Sequence, residues 1–391
     1  MVAPGGTDGS HAAGGVREGD RTHETKTRRP EGADGRGAWS RRLRALRARL
    51  PRRPKRRTVV WTAVLLTVTL LVPPGAAALA LRLAYAGDLA PGTHTRDRDA
   101  IWLGHAWVDG RKDDADLAAF ARRVEGTGIR ELYVHTGPLE RDGTLSPEKH
   151  PRSRWLVEAV HRELPGVRVH SFLGNALVYG REDGESLRLA NARSRDGVVA
   201  SAREVMELGF DGVHLDLEPL RSGDEDYLRL LERLGTVVHE YGGVLSVAAH
   251  QIDPLPGLHR AARALTGRGK WWSQSYFGHV ARRVDQVALM SYDAPTPAES
   301  LYGGYVAQQT RLALEVTPRD TVLLMGLPFF HPDDLLHRAE TVDAAVRGVR
   351  LGLGRGDADR ELFGVALYVD FAATEEDWAA YRRGWVAPAR R

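Results

Sequence analysis

Eight consecutive residues, Asp211-Gly212-Val213-His214-Leu215-Asp216-Leu217-Glu218, set three titratable side chains at alternate positions of an apolar run. On a strand, alternate side chains share a face, so His214, Asp216 and Glu218 point one way and Val213, Leu215 and Leu217 the other. The apolar set needs a covering layer. The polar set cannot be buried cheaply, because an unpaired carboxylate away from water is costly and shifts its pKa rather than staying charged. The chemistry open to such a row is proton transfer: Glu218 lies at the strand's exit, and like-charge repulsion from Asp216 keeps a proton available near neutral pH. The structural alternative is a polar network inside the core, which obliges the three groups to satisfy one another.

Such a strand needs neighbours, and the sequence supplies them. Short apolar runs recur at Ala100–Leu103, Ile129–Val134, Val167–Phe172, Gly212–Leu217, Val244–Ala249, Gln286–Met290, Thr321–Leu327 and Phe363–Val369. Segments between them, such as Asp114–Glu125, Arg152–Leu164, Val198–Leu208 and Asp226–Tyr241, carry apolar residues at helical spacing. Eight strand–helix units predict an α/β fold, a closed parallel (β/α)8 TIM barrel. An open doubly wound sheet is the alternative, and no glycine-rich phosphate turn follows the first strand to support it. In a barrel the carboxyl ends of the strands form the site. Those ends read His105 and Trp107, His135, Gly174 and Asn175, Glu218, His250, Tyr292 and Asp293, and Asp370.

The fourth strand resembles the Asp-x-x-Asp-x-Asp-x-Glu signature of family 18 glycoside hydrolases, the chitinases and their relatives. On the sixth strand, Met290-Ser291-Tyr292-Asp293 is similar to that family's Met-x-Tyr-Asp, and the 75 residues from Glu218 to Asp293 leave room for one strand between them. The resemblance covers roughly Ile101 to Trp385. It implies a hydrolase in which Glu218 is the general acid and Asp216 orients the sugar's 2-acetamido group. That group's carbonyl oxygen attacks the anomeric carbon in place of an enzyme nucleophile. Tyr292 would hydrogen-bond the acetamido oxygen and Asp293 would hold the ring. No cofactor is implied. The chain departs from the family at His214, where a second aspartate is usual. It departs again at Tyr368, Asp370 and Phe371, where a tryptophan usually floors the subsite, and at Gly174-Asn175, a partial match to a double glycine.

His214, His105, His135, Asn175, His250, Tyr368 and Asp370 are further candidates for binding sugar hydroxyls. The strand-end histidines also admit a metal-site reading or plain buried hydrogen bonding, but no close His-x-His or His-x-x-x-His pair supplies two ligands. Trp107 and Trp272 could stack on sugar faces or pack in the core; the pair Trp271-Trp272 sits in a long insertion expected over the barrel mouth. Met290 and Asp293 could equally serve as core and cap. Gly352, Gly354 and Gly356 read as a loop, with no strand or helix start to make it a phosphate site. A non-catalytic carbohydrate-binding barrel and a metal-dependent barrel hydrolase are the competing functions.

The chain's formal charge is +4, but residues 1–57 hold 16 Lys and Arg against 6 Asp and Glu, so the remainder carries −6. This excludes the electrostatic argument for nucleic-acid binding by the globular part. The absence of cysteine excludes disulfides and thiolate chemistry. Residues 1–57 predict a disordered basic tail, ending in a stretch with Leu43, Leu46 and Leu50 among arginines that suits anionic lipid. Residues 58–82 predict a membrane-spanning signal-anchor interrupted by Pro73-Pro74-Gly75, 83–98 a polar linker, and 99–391 the barrel. The basic flank puts the N-terminus in the cytoplasm and the barrel outside the cell membrane. The rival is a cleaved signal, cut after Ala78-Leu79-Ala80, with Arg56-Arg57 as a weak twin-arginine variant, and a secreted domain. The expected partners are thus a polysaccharide and a membrane.

Overall fold

A computed structural model describes residues 55–179, 186–266, 269–331 and 337–387. The expected basic tail, as far as residue 54, lies outside the described residues. The chain divides into two units, Met1–Thr69 and Leu70–Arg391, and the second contains the barrel. Helix α1 (Arg56–Tyr85) has 30 residues and passes through Pro73 and Pro74. At 1.5 Å per residue it measures about 45 Å, and by length and composition it could cross a membrane. It starts inside the expected tail and ends at Tyr85, beyond the expected Arg82.

Eight strands follow: β1 (Asp99–Leu103), β2 (Ile129–Pro138), β3 (Arg168–Ala176), β4 (Gly212–Glu218), β5 (Val244–Ala249), β6 (Gln286–Leu289), β7 (Val322–Pro328) and β8 (Phe363–Tyr368). They form one closed parallel barrel in sequence order. Ala100 on β1 pairs with both Glu131 on β2 and Ala366 on β8, which is the closure an open sheet would lack. Around it run α2 (Asp114–Val124), α3 (Ser153–Glu163), α4 (Ala192–Glu207) and α5 (Glu225–Glu240). The ring continues with α6 (Leu258–Thr266) and α7 (Gln274–Ala281) in the β5–β6 insertion, then α8 (Glu299–Leu314), α9 (Val342–Gly356) and α10 (Glu375–Tyr381).

Period-two alternation splits the core into two layers. Outward-facing Val213, Leu215 and Leu217 join the large cluster beneath the helices, while Trp102, Tyr133 and Ala288 fill the barrel's interior. The first turn of α4 precedes the apolar pattern that predicts a start near Val198. Its cap is Asn191, whose side chain accepts from the Arg193 amide. Ser194 and Ser201 then donate to the carbonyls of Arg141 and Gly143, so small polar residues face a loop where apolar ones would face the sheet.

The expected polar linker is no free tether. Thr93 and Thr95 are buried, and the Thr95 hydroxyl donates to Asp99 at 2.8 Å. Asp99 also accepts from the Tyr381 hydroxyl, the Trp385 indole and the Val365 amide, tying β1, β8 and the C-terminal segment together under the barrel. The expected Gly352–Gly356 loop is in fact the end of α9. Gly303 and Gly304 on α8 with Gly348 and Gly352 on α9 let backbones approach so closely that a Cβ at any of them would strike its neighbour. At Gly303 and Gly304 the neighbours are Tyr85 and Leu81, so the end of α1 is seated on the barrel's helical layer. Arg347 donates to the Gly87 carbonyl at 2.7 Å and lies over the Tyr85 ring, while Arg355 donates to the carbonyls of Ala84 and Ala86, satisfying the helix's open C-terminus.

Candidate active site

The fourth strand outruns its neighbour on one side. Asp216 and Glu218 pair with Gly174 and Ala176 of β3, whereas pairing with β5 stops at Leu215. The Glu218 side chain therefore projects at the mouth, 49% exposed, into a cavity of about 540 Å³ shared with His250, Trp271, Tyr292 and Asp293. Surrounding protein raises its carboxyl pKa and the Asp293 charge adds to the rise; the open side of the cleft tempers it. Asp216, one step deeper, is pushed well above the usual carboxylate range, by burial first and the Glu218 charge second. Its Oδ1 is buried and accepts no hydrogen bond. The two neighbouring carboxyls disfavour each other's ionisation, as expected, and the Asp293 charge adds to this at Glu218.

His214 does not join them. Its Nε2 accepts from the Trp102 indole at 3.1 Å and its Nδ1 faces the Ser246 hydroxyl at 2.9 Å, while its ring stacks on Tyr133 with centroids 3.8 Å apart. Because Trp102 can only donate, Nε2 is unprotonated and Nδ1 carries the proton. Full burial keeps the ring neutral. The expected role in binding sugar hydroxyls is corrected: His214 is fully buried and not accessible to a ligand. The inward row splits into a core residue, His214, and a carboxyl pair at the mouth.

Tyr292 is buried beside this pair and stacks on Tyr368 at 5.0 Å, so Tyr368 backs the ring that Tyr292 presents to the cavity. Burial raises the Tyr292 pKa well above its usual value, which keeps the phenol a donor. Asp293 has φ +54 and a side chain 77% exposed, 3.2 Å from His337 Nε2. Its unusual backbone is held by Glu340, whose buried carboxyl accepts from the amides of Asp293 (2.9 Å) and Ala294 (2.6 Å). Lys270 donates to the Asp293 carbonyl from the other side. Neither Glu340 nor Lys270 was legible, since Glu340 precedes α9 with no motif around it. Glu340→Gln replaces one acceptor by a donor facing an amide, so turnover is expected to fall about tenfold and the melting temperature by a few degrees; equal turnover would leave Glu340 without influence on the site.

Several expected ligands have other duties. Trp272 is 1% exposed, packs edge-on against Tyr276 and donates to the Leu220 carbonyl, so it is core; its neighbour Trp271 faces the cavity. Trp107 is buried and donates to Asp370 Oδ2, while Asp370 Oδ1 accepts from the Gly104 amide, so this pair fastens β1 to the exit of β8. Both corrections have one cause: the insertion and strand-end loops turn these side chains inward to satisfy buried groups. Asn175 donates to the Leu139 carbonyl. His105 and His135 meet edge to face at the rim, where burial lowers the His135 pKa to about 4. Among the described residues, no three His, Asp or Glu side chains gather closely enough to hold a metal ion.

No protein-family model matches the chain, and no curated protein matches it. Solved structures do. The spore cortex-lytic enzyme SleL of Bacillus cereus is 13% identical over 74% of this chain and 74% of its own, with a TM-score of 0.51. The corresponding SleL of Bacillus megaterium is 15% identical over 77% and 75%, with a TM-score of 0.49. The Group IV chitinase of Ostrinia furnacalis is 15% identical over 75% and 99%, with a TM-score of 0.49. At such identity the likeness to the Bacillus cereus enzyme is one of fold: the chain is a (β/α)8 barrel with the architecture of that cortex-lytic enzyme.

Proposed function

We propose that this protein is a glycoside hydrolase that cleaves a polysaccharide containing N-acetylated amino sugars by substrate assistance, held at the outer face of the cell membrane. One observation carries the reading: Asp216 offers a buried, unpartnered oxygen next to Glu218, which lines the cavity together with Tyr292. An acetamido N–H is the group that would satisfy this oxygen, and filling it favours the ionised form of Asp216. The proton of the pair then rests on Glu218. From there it passes to the glycosidic oxygen as the C–O bond breaks, while the acetamido carbonyl oxygen bonds the anomeric carbon. The Tyr292 phenol is suited to orient that carbonyl and Asp293 to hold a ring hydroxyl. Shared fold with a spore cortex-lytic enzyme is compatible with an envelope glycan as substrate. The test is to incubate the protein with a panel of amino-sugar polymers and weigh the products; hydrolysis of none of them contradicts the reading.

Anchoring is supported by the seat of Leu81 and Tyr85 on Gly303 and Gly304 and by the arginine caps on the end of α1. The end of the helix, bound this way, is part of the folded barrel, whereas cleavage after Ala80 would leave too short a stub to stay helical. The intact chain is therefore expected in the membrane fraction, resisting extraction by high salt and released by detergent. A soluble product whose mass begins at Leu81 would overturn the anchor.

A further inference from the structure

His250 follows β5 and stands beside Glu218, at the place where β4 has lost its neighbour. Its Nδ1 lies 3.7 Å from Glu218 Oε1. Its Nε2 accepts from the Leu220 amide at 3.0 Å. A backbone amide can only donate, so Nε2 is unprotonated and the single proton of the neutral ring sits on Nδ1, aimed at the carboxyl. The ring rests edge-on against buried Trp272 at 5.4 Å, and Trp272 in turn donates to the Leu220 carbonyl. Leu220 thus grips the histidine with its amide and the supporting tryptophan with its carbonyl. This is more support than a ring waiting for a sugar hydroxyl requires.

We infer that His250 is a positioning residue for Glu218, a neutral donor that aims the carboxyl and steadies its ionised form after the proton has left for the glycosidic oxygen. The inference rests on the reading of Glu218 as the acid. No proton is lost from His250 at any stage: Glu218 gives its proton to the leaving oxygen, and Nδ1–H then closes on the vacated oxygen. A separation of 3.7 Å is longer than a hydrogen bond, and such contacts tighten as substrate binds. The other charged or titratable groups around Glu218 are Asp216 below it, Tyr292 and Asp293 from the segment after β6, Tyr368 from β8 and Lys270 from the insertion. The carboxyls disfavour a charge on Glu218 and Lys270 is engaged with the Asp293 carbonyl, while His250 is held at its side with Nδ1 3.7 Å from Oε1. Burial lowers the His250 pKa to about 4, so the donor stays neutral through the working range.

Three substitutions separate this role from its rivals. His250→Phe removes the donor. His250→Gln keeps an acceptor for the Leu220 amide but puts no donor at the Nδ1 position. His250→Asn keeps a donor there and gives up the acceptor. In the full-length protein, Phe and Gln are expected to lower kcat about tenfold with KM within about twofold, and Asn to recover most of that loss. The alkaline limb of kcat/KM and the Glu218 carboxyl titration followed by NMR should both move upward by about 0.5 pH in the Phe and Gln variants. If Phe fails to fold, the contrast between Gln and Asn still decides. A rise in KM with kcat and the titration unmoved would make His250 a sugar contact and overturn the inference, as would three silent variants. Glu218→Gln, run in parallel, keeps the two readings apart: if it is inactive while the His250 series is silent, only His250 falls; if it is fully active, the acid itself falls and His250 with it.

Discussion

Glu218→Gln is expected to lower turnover at least about 100-fold while glycan binding stays within a few-fold of the parent. The amide has nearly the shape of the carboxyl and keeps its hydrogen-bonding reach, so the cavity survives. It has no proton of suitable acidity to give a leaving oxygen. Among the described residues the other acids of the cleft are differently placed: Asp293 is 77% exposed and paired with His337. Asp216 is a step deeper, and Tyr292 is held as a phenol by burial. Steady-state kinetics with a cleavable oligosaccharide, together with calorimetric binding, measure both halves; unchanged turnover would remove Glu218 from the reaction.

His214→Asp installs the aspartate of the signature that the fourth strand resembles, and the expected result is a less stable protein with no gain in rate. The imidazole fills a slot between Tyr133 and Trp102, accepts from one and stacks on the other, and engages Ser246. A carboxyl there loses the stacked ring, leaves a void and either buries a charge or holds a proton. A cost of about 3 kcal/mol is expected, corresponding to a fall in melting temperature of about 6–10 °C. Faster turnover at an unchanged melting temperature would contradict this. The same burial sets a pH dependence. The folded pKa values of His214, His135 and His250 lie below that of a free imidazole, the latter two at about 4. The unfolded chain therefore binds protons first, and stability should fall as pH drops below about 6.5, toward about 4.

The barrel was legible because each strand was a short β-rich run and most intervening helices repeated their apolar residues at helical spacing. Where the signal failed, local chemistry differed from that pattern. The start of α4 faces a loop through serines, and the last turns of α9 are built from glycines that admit α8, so neither carries an apolar stripe. The carboxyls of the site were legible because alternation fixes which way they point. The duties of Trp272, Trp107 and Asp370 were not, because each depends on a partner distant in sequence: Leu220 for Trp272, and Gly104 with Trp107 for Asp370. His214 exposes the limit of reading one strand alone. Its face was right, but its partners on β1 and β5 decided that it belongs to the core.

The most direct test of the central claim uses one polymer in two forms, N-acetylated and N-deacetylated, matched in length and offered to the wild-type protein. Substrate assistance requires the acetamido carbonyl to attack the anomeric carbon, so new reducing ends should form from the acetylated polymer and fall by at least about 100-fold when the acetyl groups are gone. Equal cleavage of both forms, or cleavage of neither, would contradict it.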